Sequence, residues 1–432
     1  MRKIALTLAV AIPAFFLVAG LVYNLPPVHD RLAWRLDNLR TQIKYALNPP
    51  EESVFVPQGD QLATPVVRVV LPTPTASPAY SPTPAGPTGT PQPSATPTIT
   101  PTPLPAAVKL AEVKYEDQHA RFNYCGPSNL SMALTFWDWK GNRDVVARAI
   151  KPEIDDKNVM PYEMADFAET QAGLASVVRV GGDLEMVKEL VANGFPVILE
   201  KGTFLTDLAG DFSWMGHYQL VTGYDQTKQI LIVQDTYVGP DHEMPYEDIL
   251  AGWRAFDYLY IVIYPPERET EVKAILGPRW DETSSERIAA QTASDEVYGL
   301  SGRDQFFAWF NRGTSLMMLQ DYAGAAQAYD QAFAVYPSIP EDERPWRMMW
   351  YQTGPYFAYF YTGRYYDVID LATRTLDNMS KPVLEESFYW RAMAKAALGD
   401  TSGAIADYRT SLKLHPDFEP SVYQLKLLGA SP

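Results

Sequence analysis

Apolar and polar positions fall into three patterns along this chain, and each pattern predicts a different kind of element. Residues 4–22 are apolar without a single charge. A helix of that length spans about 28 Å, close to a bilayer core. Arg2 and Lys3 stand before it, which places the start in the cytoplasm and everything after Val22 outside. A cleaved signal peptide is the rival reading, but its apolar region is normally shorter, and no convincing small-x-small site follows. Residues 29–47 carry a helical period: Leu32, Leu36, Leu39 and Ile43 share a face, while Arg31, Arg35, Arg40 and Lys44 are basic. Beside a membrane, such a helix lies on the lipid surface or pairs with a partner helix. A solvated spacer helix with an apolar stripe is the plainer alternative. Residues 64–105 have no period at all, only Thr, Pro, Ser and Ala in repeats such as Thr98-Ile99-Thr100-Pro101-Thr102-Pro103. That composition cannot bury a core. It predicts an extended, disordered Pro/Thr-rich stalk reaching on the order of 100 Å.

The globular pattern starts near Val108. Leu130, Ala133, Leu134 and Trp137 recur at helical spacing directly after Asn123-Tyr124-Cys125-Gly126-Pro127-Ser128. Further helices are predicted over 144–150, 161–172 and 184–193, the last closed by Gly194. The pattern then shortens. Residues 196–199 read as a buried strand, and 211–216 as an aromatic loop. Residues 217–224 and 229–234 read as two strands joined by the polar turn Asp225-Gln226-Thr227-Lys228. Residues 258–264 form a further strand, ended by Pro265-Pro266. Helices first and an antiparallel sheet after make an α+β domain. From about Asp304 the pattern is helical and repeats. Asp321, Ala325, Tyr329 and Pro337 return at the same offsets as Asp400, Ala404, Tyr408 and Pro416. Gly363-Arg364-Tyr365 marks a weaker copy between them, with a longer lead-in, and Val368 and Ala372 stand where a small residue and an aromatic belong. These offsets resemble tetratricopeptide repeats, whose period of about 34 residues builds protein-binding scaffolds. Residues 418–428 read as a capping helix.

Composition narrows the function. The formal net charge of −16 argues against a nucleic-acid partner. One cysteine in 432 residues excludes an intrachain disulfide and any zinc site built on cysteines. That cysteine, Cys125, falls at a helix start, where unpaired amides and the macrodipole favour a thiolate. The bland reading is a buried, inert thiol. A nucleophilic thiolate needs a base and a group that orients the base. Of the five histidines, His29 and His415 lie outside this domain, and His119 and His242 fall in loops. His217 opens a strand after Gly216, and Asp235 ends the next. Taken singly, His217 reads as a sheet histidine and Asp235 as a turn residue; the three together read as a nucleophile, base and orienter. The Cys125 amide and the Gln118 side chain are the candidate oxyanion donors, with Asn123 as a rival for Gln118.

Register decides whether this works. An even, four-residue turn puts His217 opposite Thr236 and Asp235 opposite Tyr218, on different faces. An odd loop, a bulge or an end-of-strand turn is therefore expected, with an Asp235 oxygen within hydrogen-bond reach of His217.

Gln118…Asn123-Tyr124-Cys125-Gly126-Pro127, then Gly216-His217-Tyr218, then Asp235, resembles the C39-like branch of the papain-like cysteine peptidases. The resemblance covers about 108–264. It implies a papain-like fold and a thiol peptidase with Cys125, His217 and Asp235 as triad and Gln118 in the oxyanion hole, using no cofactor and no metal. The best-known members cleave double-glycine leader peptides within ABC exporters. This chain carries no six-span transporter and no P-loop, so leader cleavage is not expected of it. The resulting layout is an anchor at 1–23, a juxtamembrane helix at 24–50, a linker at 51–107, a peptidase domain at 108–266, a connector at 267–294 and a repeat domain at 295–432, foldable from about Glu296. The expected partners are a peptide or protein substrate, a protein at the repeats, and the membrane through the N-terminal helix. The alternatives are an idle papain-like domain in a binding scaffold, or another thiol-dependent amidase or transpeptidase.

Overall fold

Continuous apolar runs such as Tyr260–Tyr264 have no polar face to offer water, so a sheet built from them must be covered on both sides. The computed structural model builds such a sheet. It describes residues 14, 18–20, 22–23, 26–59, 103–119, 121, 123–153, 155–206, 210 and 212–432. Most of the predicted 4–22 span and nearly all of the 64–105 linker lie outside the described residues. Among those described, no helix is long and apolar enough to cross a membrane.

The strands are β1 (Ala107–Lys109), β2 (Ala175–Arg179), β3 (Val197–Thr206), β4 (Phe212–Asp225), β5 (Ile230–Asp235), β6 (Gly239–Pro245) and β7 (Tyr260–Tyr264). They form one antiparallel sheet in the order β2-β7-β3-β4-β5-β6, with β1 beside β4. On one face lies helix Cys125–Phe136, whose Leu130, Met132 and Leu134 pack with Ile198, Leu220, Ile261 and Ile263. On the other lies helix Leu184–Ala192, packed on Val197, Leu199, Val221 and Val262. Each fully buried aliphatic side chain of this kind contributes about 1.5–3 kcal/mol.

The long hairpin β3–β4 corrects the sequence reading. The strand expected at 196–199 runs on to Thr206, and the aromatic loop expected at 211–216 is strand from Phe212 onward. Ten paired residues join them. The reason is tertiary: Trp214 is buried against Phe256 and Phe307, so its aromatic segment is core rather than loop. His217 accordingly lies within a strand rather than opening one, and His242 lies in β6 rather than in a loop. The connector at 267–294 contains two helices, Glu269–Leu276 and part of Glu282–Gly299.

The repeat region pairs Gly302–Met318 with Tyr322–Val335, Gly354–Tyr361 with Tyr365–Asp377, and Glu385–Ala397 with Thr401–Leu414, before a last helix at Glu419–Leu427. Asp321 and Asp400 cap their helices by accepting from the amides of Gly324 and Gly403. Gly313 lets Tyr329 close on its helix, since a Cβ there would meet the ring at 2.7 Å. The longer lead-in to the middle repeat is an insertion at 340–353 that carries the short helix Met348–Tyr351.

Two features join the parts into one body. A single apolar cluster runs from Trp214, Ala255 and Phe256 of the sheet domain into Phe306, Phe307 and Phe310 of the repeats. The N-terminal segment, from helix Pro26–Leu47 to Gln58, docks on the repeats. Tyr45 meets Trp346 edge-on at 5.6 Å, and buried Phe55 meets Phe333 at 4.9 Å. The Glu51 carbonyl accepts from Arg344 at 2.7 Å, and the Gln58 amide donates to Asp367 at 2.8 Å. At the far end of the linker, the Pro105 carbonyl accepts from Gln226 at 2.8 Å. Both ends of 60–102 are therefore held on the same body. That does not fit a spacer carrying the globular part away from residues 26–58. Composition describes the linker alone and is silent on where its ends bind.

Candidate active site

The chain turns sharply at Asn123 (φ 48°), and Cys125 is the first residue of the helix that follows. No side chain caps this helix, so its leading amides stay available. Asn129, fully buried one turn on, donates to the carbonyls of Cys125 (2.9 Å) and Tyr218 (2.8 Å). That bridge ties the helix start to β4 beside His217.

The β4–β5 turn is even. Asp225 pairs with Ile230, Tyr224 with Leu231 and Gly223 with Ile232. The register then slips at Thr222, so Val221 pairs with Val233 and Leu220 with Gln234. This one-residue bulge moves Asp235 onto the face of Gln219 and His217. His217 Nε2 lies 3.2 Å from Asp235 Oδ1, with both residues buried. With Nε2 on the carboxylate, Nδ1 is the nitrogen left for the thiol. Asp235 Oδ1 also accepts from the amides of Tyr237 (2.8 Å) and Val238 (2.9 Å), and Oδ2 accepts from Gln219 Nε2. Tyr115 donates to the Asp235 carbonyl at 2.9 Å.

The electrostatics follow from these contacts. Burial pushes the Cys125 thiol up, but the hydrogen bond from His217, its charge, and the amides of Tyr218 and Gly126 bring it below its ordinary value. Burial pushes His217 down, and the Asp235 charge, their hydrogen bond and Cys125 overcome this and raise it to about 9. Asp235 is likewise opposed by burial, yet His217, the Val238 amide and Gln219 hold it well below the usual carboxylate range. Both shifts favour the charged form of their group, a thiolate at Cys125 and an imidazolium at His217.

Gln118 lines the same narrow pocket as Cys125 and His217. Its amide donates to the Thr236 carbonyl at 2.8 Å, and its side-chain oxygen accepts from the Thr236 hydroxyl at 2.7 Å. That bond fixes the carboxamide oxygen on Thr236. Asn123 also lines it, but spends its side-chain nitrogen on the Asp156 carbonyl at 2.8 Å. His119 is exposed on its loop, and His415 pairs with Glu385 at 3.1 Å in the repeats.

Several residues in the pocket or bonded to Asp235 behind it had no sequence signal strong enough to single them out. Gln219, two residues after His217, shares its face by the period of the strand. Glu200 on β3, opposite Tyr218, is buried in the pocket wall, and burial holds its carboxyl well above the usual range. A carboxylate directly after the apolar run 196–199 was the available hint. Lys157 lines the pocket, and burial lowers nearby Lys151 to about 8. Tyr351 reaches the pocket from the repeat region. Away from it, among the described residues, Glu163, Glu385 and His415 bring ligand atoms within 4.8 Å of one another and are the set that could hold a metal.

A helix-borne cysteine facing a strand-borne histidine and carboxylate defines a thiol-hydrolase-like arrangement on an α/β scaffold. Residues 110–261 match the Peptidase_C39 like family, and residues 306–339 and 386–417 match tetratricopeptide repeats. The chain thus carries a C39-like peptidase domain followed by tetratricopeptide repeats. No curated protein matches it. Among solved structures, it is similar to a putative C39-like peptidase from Bacillus anthracis, at 17% identity and a TM-score of 0.30, covering 36% of this chain and 96% of that one. It is also similar to xylellain, a cysteine protease from Xylella fastidiosa, at 15% identity and a TM-score of 0.29, covering 38% and 87%.

Proposed function

We propose that this protein is a cysteine peptidase acting through Cys125, His217 and Asp235. The observation that carries the reading is the hydrogen-bonded line from the helix-start thiol through His217 to a carboxylate 3.2 Å away. The Cys125 thiolate attacks the scissile carbonyl. The Cys125 amide and the Gln118 carboxamide receive the oxyanion, and His217 delivers its proton to the leaving amine. Water, deprotonated by the now neutral His217, then hydrolyses the acyl-enzyme. Asp235 holds the imidazole with Nδ1 towards the sulfur. The repeats dock a protein. The apolar run at 4–22 anchors the chain with its globular part outside the membrane. The exposed apolar residues Leu36, Leu39 and Ile43 favour a lipid or helix contact for the juxtamembrane segment.

Iodoacetamide at pH 6 tests the chemistry. An activated Cys125 alkylates fast, and Cys125→Ala abolishes both labelling and peptide hydrolysis with little loss of fold. Slow labelling of the wild type favours a catalytically idle domain in a binding scaffold. The triad alone serves other acyl transfers equally, and a peptide library with and without amine acceptors separates hydrolysis from transpeptidation.

A further inference from the structure

The insertion at 340–353 interrupts the repeat period without adding a repeat helix pair. Its short helix Met348–Tyr351 buries Met348, Met349 and Trp350 among repeat residues and also meets β4, where Tyr351 lines the pocket that holds His217. Arg347 fixes this approach: Nη1 donates to Ser213 Oγ at 2.6 Å and to the Trp214 carbonyl at 2.8 Å. The Tyr351 ring packs edge-on against Phe256 at 5.7 Å and Trp214 at 6.1 Å. It also lies over Gly216, where a Cβ would come within 3.0 Å of Tyr351 Cε1 and 2.8 Å of Phe256 Cζ. Tyr351 is half-buried and lines the pocket together with Cys125, Met215 and His217.

We propose that Tyr351 is a specificity-determining residue of the peptidase site, contributed by the repeat region. This rests on the peptidase reading above. A substrate whose carbonyl reaches Cys125 enters a space whose lining includes Tyr351, Leu205 and Met215. The residue flanking the scissile bond is therefore selected for an apolar or flat side chain that packs on the ring. The repeat region completes the cleft.

The test uses the full chain, with Tyr351→Ala and Tyr351→Leu, the second keeping most of the apolar volume. Iodoacetamide labelling at pH 6 reads the thiolate. Cleavage of a peptide library reads the wall. The expected result is labelling within about twofold of wild type, with kcat/KM on the preferred peptides lowered about ten- to hundredfold for Tyr351→Ala and less for Tyr351→Leu. The ranking of side chains beside the scissile bond should change as well, which a merely structural role does not produce. Rapid labelling with unchanged kcat/KM and an unchanged ranking in either folded variant overturns the assignment of Tyr351 alone. A wild type that neither labels rapidly nor cleaves any peptide overturns the peptidase reading and this inference with it.

Discussion

Asp235 is the residue on which the site's charge state depends. Its carboxylate lifts His217 above the ordinary 6.5 to about 9, against burial. The raised value makes the protonation of His217 contribute stability that is fully present below about 6.5 and lost as pH rises through about 9, while the lowered Asp235 contributes stability that is lost on strong acidification. Activity should follow a bell, with an acid limb set by the lowered Cys125 and an alkaline limb near 9. Asp235→Asn should move the alkaline limb down, readable in the pH profile of kcat/KM. An unmoved limb would mean that His217 is held up by something else. Gln118→Ala should lower kcat by about 10²–10³-fold, the usual cost of one oxyanion donor, with KM and the labelling rate little changed. Asp235 could be singled out because it ends the strand after His217, whereas Gln118, one glutamine in a polar loop, was singled out mainly by the family resemblance. Gln219 and Glu200 were not, since one glutamine or glutamate in a strand means nothing until its neighbours are known.

Among elements, β4 departs furthest from its reading. Its predicted length came from local apolar alternation, whereas its real length comes from pairing with ten residues of β3. The Thr222 bulge is likewise a compromise between strands, with no residue type that announces it. The extended segment after helix Pro26–Leu47 is another element defined by what it touches. Phe55→Ala should cost about 3–5 kcal/mol of local stability, the usual range for a buried phenylalanine. Hydrogen exchange at residues 50–58 should accelerate accordingly, while exchange in the β-sheet stays unchanged. Protection that survives the substitution would show that the backbone contacts of Glu51 and Gln58 suffice to hold the segment.

For the whole molecule, the decisive fact is that its parts share contacts. A specific protease site introduced into 73–100 and cut should leave residues 1–59 bound to the globular part through Phe55, Tyr45 and the contacts of Arg344 and Asp367. Prompt separation on size exclusion would return the linker to the role of a simple stalk. The repeat region expected to fold from about Glu296 shares Phe306, Phe307 and Phe310 with Trp214 and Phe256. Such a fragment would expose that surface, and should be less soluble than the chain from Val108 onward.

By itself, the sequence determined that a C39-like domain precedes tetratricopeptide repeats, that its one cysteine stands at a helix start, and where the first and last repeats fall. Each of these is written in local terms: a run of one composition, a helical spacing, a cap, a residue type that few positions tolerate. The tertiary structure alone decided the register that joins His217 to Asp235 and the length of β4. It also decided the docking of residues 41–58 on the repeats and the arrival of Tyr351 beside Cys125. The register and the length of β4 depend on pairing between neighbouring strands, and the two dockings on side chains more than a hundred residues apart; neither kind of complementarity leaves a periodic trace along the chain.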